Sequence, residues 1–380
     1  MKEVCAALAA FVLFCAGAGN GQAREPLTLT DLAGRQVMVR VPVERIILGE
    51  GRHLPAIGIL DREDPTRRIA GMGGDLKQLD PSTYAQYRAR FPQIEDIPLV
   101  GQSSASSFSI EQAIHSNPDV AIFSLSGGHG PTPKQKVILD RLAAAGIPVA
   151  VIDFRDDPLR NTPLSMSLLG KLMGREAEAR EFLEFYGKQL DLVRDRLAGV
   201  DERPHVFLES RVGIREECCE TIGDGMLGRF IEWAGGINMG ASLVPGAAGM
   251  VNVEQLIVAP PDVYLATAIG STITAAETPN RIVLGAGAGA GQARESLARS
   301  MARTGIAQLP AVRNGDAHAI WHHFYNTPIN VVAVQAIAKW LHPGKFGDLD
   351  PRQTLETFFE RFQPVPLDGV YWTSLSEEGQ

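Results

Sequence analysis

Apolar residues at 179, 182, 183, 186, 190, 193 and 197 share one face at helical spacing. They lie in EAEAREFLEFYGKQLDLVRDRLAG, residues 176–199, near the middle of the chain. Glu176, Glu178, Glu181 and Glu184 crowd its start; Lys188, Arg194 and Arg196 gather toward its end, complementing the macrodipole. The pattern predicts one helix about 36 Å long at 1.5 Å per residue. It reads as a rigid strut between two lobes, or as one more surface helix of a single domain.

On either side, short apolar runs alternate with helical patterns. Residues 27–41 alternate around Ala33-Gly34 and predict a hairpin. Strands are predicted at Arg45–Gly49, Arg68–Gly71, Ile97–Gly101, Asp119–Ser124 and Pro148–Phe154, with helices over 81–91, 109–116, 134–145 and 163–173. After the long helix the pattern restarts, with strands at His205–Ser210, Asp262–Thr267 and His318–His322. Helices are predicted over 225–234, 252–258, 292–304, 328–341 and 351–361, with Asp224 capping the first and Gly235-Gly236 ending it. This alternation predicts α/β lobes with mostly parallel sheets. The glycine-alanine stretch 285–291 lacks the strand and the Lys-Ser or Lys-Thr of a phosphate cradle and reads as a flexible surface loop.

The 380 residues suffice for two domains. The expected division is 1–23 as an export signal, 24–175 as the first lobe, 176–199 as the connecting helix, 200–345 as the second lobe, and 346–380 as a tail packing back. The apolar run from Cys5 to about Ala18 is short for a membrane span. Gly21-Gln22-Ala23 is the first choice of cleavage site and Ala16-Gly17-Ala18 the second. Bulky Phe14 before Cys15 argues against a lipid anchor, so a periplasmic location is expected. A net charge of −8 without a basic block argues against a general nucleic-acid binder.

Residues 108–120, FSIEQAIHSNPDV, are echoed by 251–263, VNVEQLIVAPPDV. Glu111 and Glu254 therefore occupy equivalent places, one per lobe, and suggest a two-point contact with a partner carrying basic pockets. At this point the sequence resembles the periplasmic substrate-binding proteins of ABC importers for ferric siderophores, haem and vitamin B12. The carriers are Asp31 to Arg35, Pro42 to Ile46, Val100-Gly101, Ser109 to Glu111 through Pro118-Asp119, and Gly146 to Val149. In the second half they are Ala234 to Asn238, Val253-Glu254 through Pro261-Asp262, and Leu309 to Gly315. The resemblance implies two Rossmann-like lobes joined by one long helix, ligand in the cleft between them, and docking of Glu111 and Glu254 onto permease arginines. It implies a monomer that binds a small-molecule metal chelate, with no cofactor of its own.

Ligands of open parallel sheets bind beyond the carboxyl ends of the strands. That rule selects Arg52, Gln102, Ser126, His129 and Arg211, then His322, His323 and Tyr325. Arg52 and Arg211 suit anionic groups. His322, His323 and Tyr325 suit either direct ligation of iron or haem, or hydrogen bonds to an intact chelate. Cys218 and Cys219 are adjacent, and their Cα atoms, about 3.8 Å apart across a trans peptide, fall below the usual disulfide range. Three readings stand for them: a disulfide lining the cleft, a structural turn away from ligand, and a thiolate metal site.

The expected function is an iron-chelate receptor, ferric siderophore first, delivering to an ABC permease. Haem and cobalamin are the alternatives of the same type, and a receptor serving a sensor instead of a permease is another. An exported chelatase-like enzyme is the remaining alternative, although no G-x-S-x-G or H-E-x-x-H is present.

Overall fold

A computed structural model describes residues 24–215 and 218–376. The expected export signal therefore lies outside the described residues. The chain opens with the predicted hairpin, Glu25–Thr30 against Gln36–Val41. Its turn is held by Asp31, whose carboxylate accepts from the backbone N–H groups of Ala33 and Arg35 and from the Arg35 guanidinium.

The first lobe is built on five parallel strands in the order Leu99–Gly101, Ile69–Gly73, Ile46–Leu48, Val120–Ser124 and Val149–Ile152. The central strands are buried throughout, as expected for a parallel sheet covered on both faces. In the second lobe, His205–Glu209, Val263–Ala268 and Ala317–Trp321 run parallel at the centre. Glu220–Ile222, Ala248–Met250 and the tail strand Trp372–Ser374 join antiparallel, so this sheet is mixed.

The two echoed segments are alike in three dimensions. Each short helix, Ile110–His115 and Val253–Val258, is capped by a side chain, Ser109 on the N–H of Gln112 and Asn252 on the N–H of Glu254. Each then leads to an aspartate that clamps the neighbouring strand. Asp119 accepts from the N–H groups of Glu44 and Arg45 at 2.7 and 2.9 Å, and Asp262 accepts from the N–H of His205 at 2.7 Å.

The long helix spans Glu176–Leu197. It buries Ala179, Phe182, Phe185, Tyr186, Leu190 and Val193, while Leu183 and Leu197 are half-buried. It packs on Leu54–Leu60 and Pro158–Met173 of the first half and on Val331–Leu341 of the second, bracing both lobes from behind. At its middle the Tyr186 hydroxyl donates to Asn330 at 2.7 Å, and the Asn330 amide donates to Thr162 at 3.0 Å. Phe182 meets Phe358 and Phe362 of the tail helix Pro351–Phe362 edge to face.

Several local expectations need correction. The helix expected from Gly225 begins at Gly228 without a side-chain cap, because Asp224 is drawn to the Arg229 guanidinium at 2.8 Å. Gly235 does end it, in the left-handed region. The helix expected over 163–173 starts earlier, at Pro158, and carries Pro163 inside it. The glycine-alanine stretch is no free loop. Gly285 donates to the carbonyl of Val370, Ala286 and Ala288 are buried, and a Cβ on Gly285 would fall 2.7 Å from Trp321.

Candidate functional site

The strand Ile46–Leu48 runs into a tight turn, Gly51–His53, that presents Arg52. The turn requires glycine: a Cβ on Gly51 would lie 2.4 Å from the Gly73 carbonyl. Its N–H donates to Asp75 at 2.6 Å. Arg52 is 4% exposed, and each of its three nitrogens has a protein partner. Nε donates to Asp75 at 3.1 Å, Nη2 to Glu50 at 3.0 Å and Nη1 to the Tyr325 hydroxyl at 3.0 Å. Glu50 also accepts from Ser124 at 2.7 Å and from Asn326 at 3.4 Å. Burial pushes the Glu50 carboxyl up, but Arg52, His53 and Ser124 outweigh it and hold it at about 2. At Asp75 burial wins over Arg52 and raises the carboxyl to about 6. The ion cluster is thus a buried brace whose last partner, Tyr325, comes from the other lobe.

Above it lies a cavity of about 220 Å³ between the lobes. From the first lobe it is lined by Arg52, Gln78, Leu79, His129 and Arg155. Across it stand Arg211, Arg281, His322, His323 and Tyr325, with an apolar flank that includes Ile214, Ile222, Met226 and Ile269. Tyr325 and both histidines sit on a 3-10 turn directly after the strand Ala317–Trp321.

The arginines differ in how they are matched. Arg52 is spent on Glu50, Asp75 and Tyr325, and Arg211 pairs with Glu220. Arg155 and Arg281 are half-buried and have no carboxylate partner among the described residues. The Arg155 guanidinium donates to the Tyr325 hydroxyl at 3.4 Å and lies over the ring. Arg211 has the left-handed φ of +54°, rare for a side-chain-bearing residue. Its N–H is held by the Thr267 hydroxyl at 2.7 Å. The cavity imidazoles are all pushed toward the neutral form. Burial, then Arg52, lowers His129 to about 4 and His323 to about 3; burial, His323 and the arginines take His322 well below its usual value. The described lining therefore carries four guanidinium groups, from Arg52, Arg155, Arg211 and Arg281, against the one carboxylate of Glu220, which Arg211 pairs.

Of the residues selected from sequence, Arg52, His129, Arg211, His322, His323 and Tyr325 line this cavity. Four do not. Gln102 stands behind Gln78, hydrogen-bonded to it. Ser126 is turned away onto the Asp156 carboxylate. Cys218 and Cys219 are joined by a disulfide across a cis peptide and lie beside Glu209; neither lines the cavity, although the next residue, Glu220, does, and Cys219 is fully buried. Glu209 is itself occupied by Arg303 and Tyr264. Arg155 and Arg281 were missed. Arg155 follows the strand Val149–Ile152, and applying the carboxyl-end rule to that strand finds it. Arg281 lies 13 residues beyond Ala268, in a long loop that simple spacing does not resolve. Glu111 and Glu254 are solvent-exposed at the first turns of their helices, with Glu111 3.5 Å from Arg141.

No described protein family matches the sequence, and no curated protein does. Solved structures do. A TroA-like periplasmic binding protein, FepB from Veillonella parvula, superimposes with a TM-score of 0.82 at 25% identity, over 92% of this chain and 100% of that one. The molybdate-binding protein MolA of Haemophilus influenzae aligns with a TM-score of 0.67 at 17% identity, covering 90% and 99%. CeuE of Helicobacter pylori, solved with nickel and histidine, gives 0.64 at 15% identity, covering 90% and 96%. Two α/β lobes, one connecting helix and a cleft between them are the fold this chain shares with the TroA-like periplasmic binding protein.

Proposed function

We propose that the chain is an exported solute receptor that captures an anionic iron chelate, a ferric siderophore foremost, and delivers it to an ABC permease. The observation that carries this reading is the pair Arg155 and Arg281, two half-buried guanidinium groups lining an inter-lobe cavity and without a carboxylate partner among the described residues; Glu220, which also lines it, is paired with Arg211. Desolvated guanidinium without a partner is costly, and an anionic guest supplies the missing charge-assisted hydrogen bonds. Glu111 and Glu254 are the docking points on the permease, and the receptor works as a monomer.

The test is direct. The purified protein is examined for a co-purifying chromophore by visible absorption and metal analysis, where a broad charge-transfer band marks a ferric chelate and a Soret band marks haem. Ferric catecholate and ferric hydroxamate complexes are then titrated into wild type, Arg155→Ala and Arg281→Ala. Each substitution is expected to weaken binding about tenfold or more, the equivalent of about 1.4 kcal/mol, with unfolding free energy within about 0.5 kcal/mol of wild type. Equal affinity in all three proteins sinks the reading.

A further inference from the structure

Residues 24–380 hold two cysteines, Cys218 and Cys219, and these are joined to each other. No third sulfur of this kind is there to reshuffle with them, so this part of the chain has two redox states, a disulfide and a dithiol. Loop entropy does not account for the bond. The stabilisation a cross-link gives grows with the loop it closes, and adjacent residues close the shortest loop a chain has. What the bond fixes is local: a small ring that includes the 218–219 peptide.

The neighbours of that ring lead to two places. The N–H of Cys219 donates to the Val251 carbonyl at 3.1 Å, and its carbonyl accepts from the N–H of Val251 at 2.9 Å. Val251 precedes Asn252, whose side chain caps the helix that carries Glu254. On the other side stands Glu220. Its carbonyl accepts from the N–H of Ser210 at 2.7 Å, its carboxylate holds the Arg211 guanidinium, and all three residues line the cavity. One wall of the cavity and the root of the Glu254 helix are thus tied to the same closed ring.

The two sulfurs are unequally reachable. Cys218 is half-buried and Cys219 is fully buried. Thiol–disulfide exchange begins with a thiolate on one sulfur, and access decides which. The half-buried Cys218 Sγ is the point of entry. The bond to Cys219 breaks, and Cys219 leaves with the electron pair and takes up a proton.

We propose that Cys218–Cys219 is a thiol–disulfide exchange site for an external dithiol, and that its redox state sets how firmly the Ser210–Arg211–Glu220 wall holds the guest. The dithiol supplies both electrons and both protons. Its first thiolate forms a mixed disulfide with Cys218. Its second thiolate attacks that bond, releases Cys218 to be protonated, and leaves the partner oxidised as a disulfide. In the disulfide form the wall is pre-organised. In the dithiol form the guest must order residues 219–222 as it binds, which weakens its hold. The effect on the guest rests on the receptor reading above; the exchange chemistry does not.

The test uses the purified chain from Arg24 onward, reduced with dithiothreitol without denaturant and freed of reagent under anaerobic conditions. Thiol titration with dithionitrobenzoate is expected to find no free thiol before reduction and both thiols after it. In Cys219→Ser the remaining Cys218 is expected to react in the native protein, whereas in Cys218→Ser the remaining Cys219 reacts only on unfolding. Amide hydrogen exchange is expected to rise about tenfold or more on reduction in segments 210–222 and 248–254, as local opening becomes easier, and to stay unchanged in the strand Val120–Ser124. Gallium(III) catecholate and hydroxamate complexes, whose metal thiols do not reduce, are then titrated into both forms; the reduced form is expected to bind about threefold or more weakly. A bond that resists the dithiol until the protein unfolds, a Cys219 as reactive as Cys218, or exchange unchanged on reduction overturns the proposal. Equal affinity in the two forms overturns it while leaving the receptor reading in place; failure of every gallium and ferric complex to bind either form overturns both.

Discussion

The Arg52 guanidinium of the first lobe donates to the Tyr325 hydroxyl of the second at 3.0 Å, with both side chains buried. Glu50 and Asp75 hold the other edge of the same guanidinium, so a rigid ion cluster in one lobe ends in a hydrogen bond to the other.

Tyr325→Phe removes only the acceptor and leaves Nη1 of Arg52 facing the His323 ring. Loss of a buried hydrogen bond to a charged group costs about 1.5–3 kcal/mol. Urea unfolding is expected to show a loss of that size, with the slope on denaturant unchanged. Wild-type stability in this variant would mean that the contact between the lobes is energetically silent.

Acid is expected to destabilise the fold from below about pH 6.5, through its buried histidines. Burial lowers His53 and His322, takes His129 to about 4, and takes His318 and His323 to about 3. Below about pH 6.5 the unfolded chain binds protons on these rings that the folded chain refuses, so stability falls as pH drops toward 4. At pH 5 each ring still neutral in the fold contributes a loss of roughly 2 kcal/mol. Asp75 and Asp80, both raised to about 6, act in the opposite sense and offset part of it, because their folded forms take up protons first. Urea midpoints measured at pH 7 and pH 5 check the sign; a higher midpoint at pH 5 contradicts it.

Replacing both exposed glutamates, Glu111→Arg with Glu254→Arg, is expected to abolish uptake through the cognate permease while chelate affinity changes less than about twofold, since rim charges act on encounter with a partner. Uptake by cells expressing the double variant, beside a titration of the purified protein, separates the two effects. Normal uptake removes the docking assignment.

Much of this architecture was legible in the chain because it rests on periodicity. The stripe from Ala179 to Val193 marks the long helix, and the echo of Glu111 to Asp119 in Glu254 to Asp262 marks two equivalent helix–strand units. The cleft was legible only in part. The carboxyl-end rule finds loops, but whether a side chain faces the cavity depends on partners distant in sequence. Ser126 turns to Asp156, Gln102 retreats behind Gln78, and Arg52 is consumed by Asp75, 23 residues on. The strands Glu220–Ile222 and Ala248–Met250 are three residues each, too short for a pattern of two to register.

The aspartate clamps have a consequence for how such a receptor diversifies. Asp119 and Asp262 tie the segments that follow Glu111 and Glu254 to core strands, so the gauge between the two acidic pins belongs to the cores and not to the loops. Arg155, Arg281 and His129 sit on those loops. Exchange of the loops can therefore alter the cavity lining while the spacing of Glu111 and Glu254 is kept.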